Sequence, residues 1–231
     1  MNIQKTRSYT DTAGYLHLWC EKPVGYKVLP GQYCILQTNP EGKKYYFAFA
    51  SAGDRVVNNG SSIEVVNATN DKNSELFFLI KKTADNAELS TSLSFIISSP
   101  MGAGFQISPD TKQRLIYITH GSGISAMTVM MHERLQKRHT SDILIYGIAS
   151  QQALPALSIF ERHFPLEKYF AYSKQHPLGL EENRIQEIMK PFVFPDEDFA
   201  ILLVGSKEMT ASCREILAEK NIQDTKIFSN Y

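Results

Sequence analysis

The sequence predicts an N-terminal antiparallel β-barrel over residues 1–108 followed by a five-stranded parallel α/β domain over residues 109–231. Three observations carry this expectation. Up to about residue 108 the chain consists of short β-rich runs, broken at roughly 8–15-residue intervals by Asn, Gly and Pro. After Pro109 apolar strands alternate with helical stretches of about 8–13 residues, the rhythm of a parallel sheet covered on both faces. A glycine-rich turn, Gly121-Ser122-Gly123-Ile124-Ser125-Ala126, falls between the first of those strands and its helix.

In the first part, Tyr15-Leu16-His17-Leu18-Trp19 reads as a strand, and Gly31-Gln32-Tyr33-Cys34-Ile35-Leu36 follows a Pro-Gly turn. Tyr45–Ala50, Ile63–Val66, Leu76–Lys81 and Phe95–Ile97 complete the barrel set. Turn-rich stretches such as Thr38-Asn39-Pro40-Glu41-Gly42 and Asn58-Asn59-Gly60-Ser61 separate them. In the second part the predicted order is strand Leu115–Thr119, helix Ser125–Lys137, strand Ile143–Ile148, helix Gln152–His163 and strand Lys168–Tyr172. Helix Glu182–Met189, strand Phe199–Val204, helix Glu208–Glu219 and strand Thr225–Phe228 then follow.

Composition narrows the function classes. The chain has 231 residues, 43% of them hydrophobic, which is the content of a globular protein. Its 24 Lys+Arg against 24 Asp+Glu leave no net charge, so the basic excess that a nucleic-acid footprint needs is missing. The strongest apolar run, Phe199–Val204, has strand length rather than the ~18–20 residues of a membrane span. The opening Met-Asn-Ile-Gln-Lys-Thr-Arg-Ser has no apolar secretory segment, and a cytoplasmic location is expected. Cys20, Cys34 and Cys213 are odd in number and widely spaced, unlike a disulfide framework, an iron–sulfur knuckle or a zinc site. No metal is expected: no second His, Asp or Glu falls at ligand spacing on the same element as His120, and His132 lies within a helix.

The Gly121–Ala126 turn fits the dinucleotide pattern G-x-G-x-x-A, in which glycines let the backbone approach a phosphate at a helix N-terminus. A tight strand-to-helix turn without a ligand is the plainer reading. The acid that usually ends the second strand is absent from Tyr146-Gly147-Ile148-Ala149-Ser150. Three further loops, at Tyr146-Gly147, Ser173-Lys174 and Gly205-Ser206-Lys207-Glu208-Met209, belong at the carboxyl edge of the same sheet, where open α/β sheets bind ligands. Lys174 and Lys207 there either pair with phosphates or are simply solvated. In the first part, Tyr45–Ser51 is an aromatic strand, and Met101-Gly102-Ala103-Gly104-Phe105 either passes near a planar ring or forms a tight turn.

Together with Pro30-Gly31-Gln32-Tyr33 and Ile80-Lys81, these segments occur in the order seen in ferredoxin–NADP reductase-like flavoproteins. The chain resembles that family over nearly its whole length. It looks closest to a short FAD/NAD(P)-binding oxidoreductase branch that includes plastid and fruit proteins of plants. The resemblance implies a flavin-binding barrel and a nicotinamide-binding domain, with FAD as flavin and NADPH or NADH as reductant. It matches Tyr46, Phe47, Ala48, Phe49 and Ser51 to the strand along the flavin, and Ile80 and Lys81 to the strand beside its ribityl and phosphate region. Gly102 and Gly104 fall in the family's Met-Gly-x-Gly-Phe segment. Gly121, Ser122, Gly123 and Ile124 match the pyrophosphate turn, and Tyr146 and Gly147 the next loop. Ser173 and Lys174 match a pair that contacts the adenosine 2′-phosphate. Val204, Gly205, Lys207 and Met209 match the segment approaching the nicotinamide, and Tyr231 the terminal aromatic over the flavin.

The sequence departs from the family at the flavin. The family's Arg is Tyr45, its Ser is Ala48, its catalytic-site Cys is Val204, and the Arg after Tyr-Gly is Ile148. Its Gly-x-x-Ser/Thr phosphate segment is degraded around Ala84-Asp85-Asn86. A charge-assisted phosphate contact contributes roughly 1.5–3 kcal/mol, so losing the Arg is expected to weaken flavin binding on the order of 10- to 100-fold. The resemblance implies hydride transfer between NAD(P)H and bound FAD, then electron delivery to a small molecule or a separate redox protein. The alternative is a degenerate family member acting as a nucleotide-binding or electron-transfer subunit.

Overall fold

The structure, a computed structural model, describes residues 1–50, 55–58, 63–66, 75–160, 166–175, 178 and 183–230. Six antiparallel strands form the first sheet: β1 (Asn2–Thr10), β2 (Tyr15–Glu21), β3 (Tyr33–Gln37), β4 (Tyr45–Ala48), β7 (Glu75–Lys81) and β8 (Ser94–Ile97). Their order is β4-β3-β8-β1-β2-β7. The Ala50 N–H, just past β4, donates to the Phe77 carbonyl of β7 at 2.9 Å, which brings the two outer strands together. β5 (Arg55–Asn58) and β6 (Ile63–Val66) pair as a separate antiparallel hairpin.

The second sheet is wholly parallel, in the order β11-β10-β9-β12-β13, from β9 (Arg114–His120), β10 (Ile143–Ser150), β11 (Glu167–Gln175), β12 (Phe199–Val204) and β13 (Ile227–Phe228). Helices α2 (Ser125–Gln136), α3 (Ile185–Met189) and α4 (Lys207–Glu219) cover it; α1 (Glu88–Thr91) belongs to the first part. The fold class expected from the sequence is the one observed.

Strand alternation divides the core. Leu16, Leu18 and Cys20 of β2 meet Leu76, Phe78 and Ile80 of β7 inside the barrel. The opposite faces of these strands, through Tyr15, Trp19, Phe77 and Leu79, join a cluster with Leu115, Tyr117, Leu144, Met127 and Met130. Residues of alternate parity on the parallel strands, Ile116, Ile118, Ile145, Ile201 and Leu203, pack on the other side against Ile185, Met189, Met209, Cys213 and Leu217. Helix α2 is buried nearly all round, polar residues such as Thr128, His132 and Arg134 included, because it lies between sheet and barrel. Its Thr128 hydroxyl donates to the Ala50 carbonyl at 2.6 Å.

A buried ion pair fixes the segment between the sheets. The Arg134 guanidinium donates to Asp142 through Nε at 2.6 Å and Nη2 at 2.8 Å. It also donates to the carbonyls of Pro109, Thr111 and Gln113. Asp142 in turn accepts the Leu115 N–H and the Tyr117 hydroxyl.

Several expectations need correction. In place of a helix over Gln152–His163 there are two single turns, Gln151–Ala153 and Ser158–Phe160, while 161–165 lie outside the described residues. Pro155 is the reason: it has no N–H to donate and leaves Leu154 extended, at φ −71° and ψ 120°. β1 and β5 were not expected as strands at all. In β1 only Ile3 is buried, so no apolar alternation marks it, yet it pairs with both β2 and β8. Strand Tyr45–Ala50 stops at Ala48, strand Thr225–Phe228 begins at Ile227, and the helix expected over Glu182–Met189 is observed over Ile185–Met189.

Candidate functional site

A cleft of about 750 Å³ opens at the carboxyl edge of the parallel sheet, where β9, β10 and β12 end side by side. Its lining comes from the ends of those strands and the turns and helix starts that follow: His120, Gly121 and Ser122, Gly147 to Ala149, Ser206, Glu208 and Met209. Ser173, Asn183 and Arg184 border it from the β11–α3 side, and Tyr15 and Lys81 from the barrel. An open parallel sheet leaves its crevice at the strand ends because neighbouring crossovers depart to opposite faces.

Of the residues singled out by sequence, Lys81, Gly121, Ser122, Gly147, Ser173 and Met209 line this cleft. Phe49, Ile80, Ile124 and Tyr146 are fully buried and do not line the cleft. Val204 is buried, and its Cγ1 packs at the turn, 3.5 Å from where a Cβ on Gly123 would stand. Gly205 follows it at the end of β12. Lys174 and Lys207 are exposed. Tyr46, Phe47, Ala48, Gly102 and Gly104 lie on the barrel's β3–β4 side and the 101–105 segment. Ser51 and Tyr231 fall outside the described residues.

The glycines serve different purposes. Gly121 has φ +52°, and a Cβ there would meet nothing within 4 Å, so its backbone is open to an approaching ligand. Gly104, at φ +70°, lies where a Cβ would stand 2.6 Å from the Pro30 carbonyl, a packing constraint within the barrel. At Gly147 and Gly205 the missing Cβ makes room for protein side chains: Ile185 and His120 at the first, Met209 and His120 at the second.

Polar groups hold the cleft's shape. The Tyr146 hydroxyl donates to the Gly121 carbonyl at 2.8 Å and is hydrogen-bonded across the lobes to the Tyr15 hydroxyl. Burial raises both phenols, so they stay protonated. Lys81 Nζ donates to the Ala13 carbonyl at 2.6 Å and stands 4.5 Å from the centre of the Tyr15 ring. The Ser206 hydroxyl caps α4 by accepting the Met209 N–H at 3.3 Å. Hydrogen bonds from its own backbone N–H and from Ser206 hold the Glu208 carboxyl below the usual carboxylate range.

His120 is the residue that the sequence reading missed: it was weighed only as a metal ligand. The signal was its place, the last residue of the central strand before the glycine turn. Its Cβ lies beside Gly147 and its imidazole beside Gly205, the residue lines the cleft, and burial lowers its pKa.

The open Gly121 turn, the hydroxyls of Ser122, Ser173 and Ser206, and the volume fit a nucleotide. On the barrel, Tyr46 is 61% exposed beside Tyr33, Gly102 has φ +80° over the Tyr33 ring, and Asn230 Oδ1 is a buried acceptor without a partner among the described residues. Those features fit a planar ring with N–H donors. The region matched to the flavin phosphates is different. There the Tyr45 hydroxyl donates to the Asp85 carbonyl at 2.7 Å and to Glu88 at 3.1 Å, and Lys43 pairs with Asp85 at 3.6 Å. Acidic side chains stand where a diphosphate wants cations.

Solved structures share this architecture over the whole chain. The CS-b5R domains of human Ncb5or in the NAD+ form match at TM-score 0.77 and 16% identity, covering 100% of this chain and 69% of that one. A Neisseria gonorrhoeae ferredoxin NADP+ reductase with bound FAD and NADP matches at 0.73 and 15%, covering 99% and 97%. The flavohem-like FAD/NAD binding domain of a Vibrio cholerae nitric oxide dioxygenase matches at 0.74 and 13%, covering 99% and 96%. No family model matches the chain, and no curated protein matches it in sequence. The likeness is therefore one of fold: barrel and parallel sheet are arranged as in ferredoxin–NADP reductase-like flavoproteins.

Among the described residues no helix is long and apolar enough to cross a membrane. The three cysteines are free and buried, and burial raises each thiol, Cys20 and Cys213 to about 12.

Proposed function

We propose that this protein is a flavin-dependent oxidoreductase that takes hydride from NADH or NADPH onto FAD and passes the electrons to a separate acceptor. In this reading residues 1–108 form the flavin-binding part and residues 109–231 the nicotinamide-binding part. One observation carries it: the backbone-open Gly121 turn, three serine hydroxyls and Met209 converge with barrel residues Tyr15 and Lys81 around a single cleft. Solved proteins of this fold described with FAD, NAD+ or NADP support it.

Flavin and nicotinamide supply the hydride chemistry when bound; the protein's task is to bind, orient and exclude water. Gly121 and Ser122, at the start of the α2 turn, offer N–H groups and a hydroxyl to the nucleotide's phosphates. Gly205 and Val204 border the nicotinamide end, and their small, apolar surface excludes water without acid–base help. Ser173, Lys174 and Arg184 border the adenosine end, where the two cations favour a 2′-phosphate and hence NADPH. Gly102, Tyr33 and Tyr46 would hold the flavin ring. Lys81 has donors left after its bond to Ala13, yet Asp85 and Glu88 oppose a diphosphate, so FAD is held weakly and exchanges readily.

Purified protein reconstituted with FAD is expected to bleach its visible absorbance anaerobically on adding NADPH or NADH. A colourless protein that takes up no FAD and oxidises neither nucleotide rejects the proposal. Tyr45, Ala48 and the acidic pair favour the second reading, a nucleotide-binding subunit without turnover. Tight NADPH binding with no ferricyanide reduction would establish that reading instead.

A further inference from the structure

His120 ends β9, the central strand, and its register partner on β10 is Gly147. Two flanking glycines leave room for His120 beside the side chains of Ile185 and Met209. A Cβ on Gly205 would stand 3.1 Å from His120 Cδ2, and a Cβ on Gly147 would stand 3.1 Å from His120 Cβ. One ring edge is engaged: Nε2 accepts the Ser206 N–H at 3.3 Å. Acceptance at Nε2 places the ring proton of a neutral imidazole on Nδ1. The opposite edge, Nδ1 and Cε1, has no hydrogen-bond partner among the described residues, and the residue lines the cleft. A strand-end side chain that merely filled the gap would need no polar edge turned away from its one partner.

We infer that His120 is a binding residue of the nicotinamide nucleotide, its Nδ1–H donating to an acceptor oxygen on the nicotinamide–ribose side of the molecule. The position follows from its neighbours: it stands between the Gly121 turn, which faces phosphate, and the Gly205–Ser206 loop at the end of β12. The Ser206 N–H holds the ring in place, so the Nδ1 donor is preorganised rather than ordered on binding. This rests on the reading of the cleft as a nucleotide site.

The test is calorimetric titration of the full-length protein and of H120N, H120Q and H120A with NADH, NADPH and ADP, each variant's fold checked by its melting temperature. Asparagine places an N–H near Nδ1, whereas glutamine reaches the Nε2 position and keeps only the Ser206 contact. The expected result is NADH and NADPH binding at least 10-fold weaker in H120A and H120Q, within about 3-fold of wild type in H120N, and ADP binding unchanged in all three. Equal losses in H120N and H120Q, unchanged dinucleotide affinity in H120Q, or a parallel loss of ADP affinity would overturn the inference while leaving the nucleotide site intact. A wild-type protein that binds none of the three nucleotides overturns the site itself, a separate failure seen without any variant.

Discussion

At the scale of single residues, the largest stakes lie with charges taken out of water. Arg134 is 1% exposed, and its guanidinium serves both Asp142 and three carbonyls of the 109–113 segment. Arg134→Ala strands a buried carboxylate and those carbonyls together, so a loss of about 3–5 kcal/mol in urea unfolding is expected. Arg134→Met, which keeps the volume, is expected to lose a similar amount, because the stranded charge rather than the cavity sets the cost. His132 is the second case. Burial within α2 pushes its pKa down to about 4, against an ordinary value of 6.5. A histidine whose folded pKa is depressed favours the neutral form in the native state. Its stabilisation is therefore complete above pH 6.5 and is lost as pH falls from 6.5 through about 4, where the unfolded chain binds the proton first. The window corresponds to roughly 2–4 kcal/mol. His17 and His120, also depressed by burial, act in the same direction. Urea midpoints for wild type and H132Q across pH 7 to 4 check this: the variant's stability should fall less steeply.

At the scale of elements, two glycines with left-handed backbone are expected to answer substitution differently. Gly104→Ala meets the Pro30 carbonyl, a backbone atom that cannot swing away, and costs roughly 2–4 kcal/mol. Gly121→Ala meets open space and costs roughly 1 kcal/mol, but its methyl stands in the path of the nucleotide. Thermal melts should rank the first as the less stable protein, while NADPH titration should rank the second as the weaker binder. Sequence legibility follows the same local physics. β9 and β12 were readable because a strand buried on both faces is an uninterrupted apolar run, as in Phe199–Val204. β1 was not, since a strand with one buried side chain carries no alternation and is held by ladder hydrogen bonds to two neighbours. The helix expected over Gln152–His163 failed at Pro155, whose ring outweighed the surrounding helix formers. The rim of the cleft was legible as glycine and serine at strand ends. What those glycines face was not, because the imidazole of His120 comes near Gly205 only when β9 and β12 pair.

At the scale of the molecule, the two sheets are not independent bodies. Tyr15, Trp19 and Phe77 of the barrel share an apolar cluster with Leu115, Tyr117 and Met130 of the other lobe, and Val129 of α2 joins the barrel's own core. Polar ties cross the same boundary: Thr128 to Ala50, and the Ala156 N–H to Asp11 at 2.9 Å. Asp11 also bonds His17 of β2 at 2.9 Å, on the strand face that carries Tyr15 and Trp19, so the tie is anchored on both sides. Separating the lobes would bare the Met-rich outer face of α2 along with the aromatic face of β2 and β7, an exposed apolar surface that favours aggregation. Calorimetry of the full chain is therefore expected to show one transition, with calorimetric and van't Hoff enthalpies in agreement at roughly 160 kcal/mol near 60 °C. The fragments 1–108 and 109–231, expressed alone, are expected to be insoluble or molten. Two resolved transitions, or a soluble 109–231 fragment with sharp near-ultraviolet dichroism, would show that each lobe holds its own fold and that the shared cluster is incidental to stability.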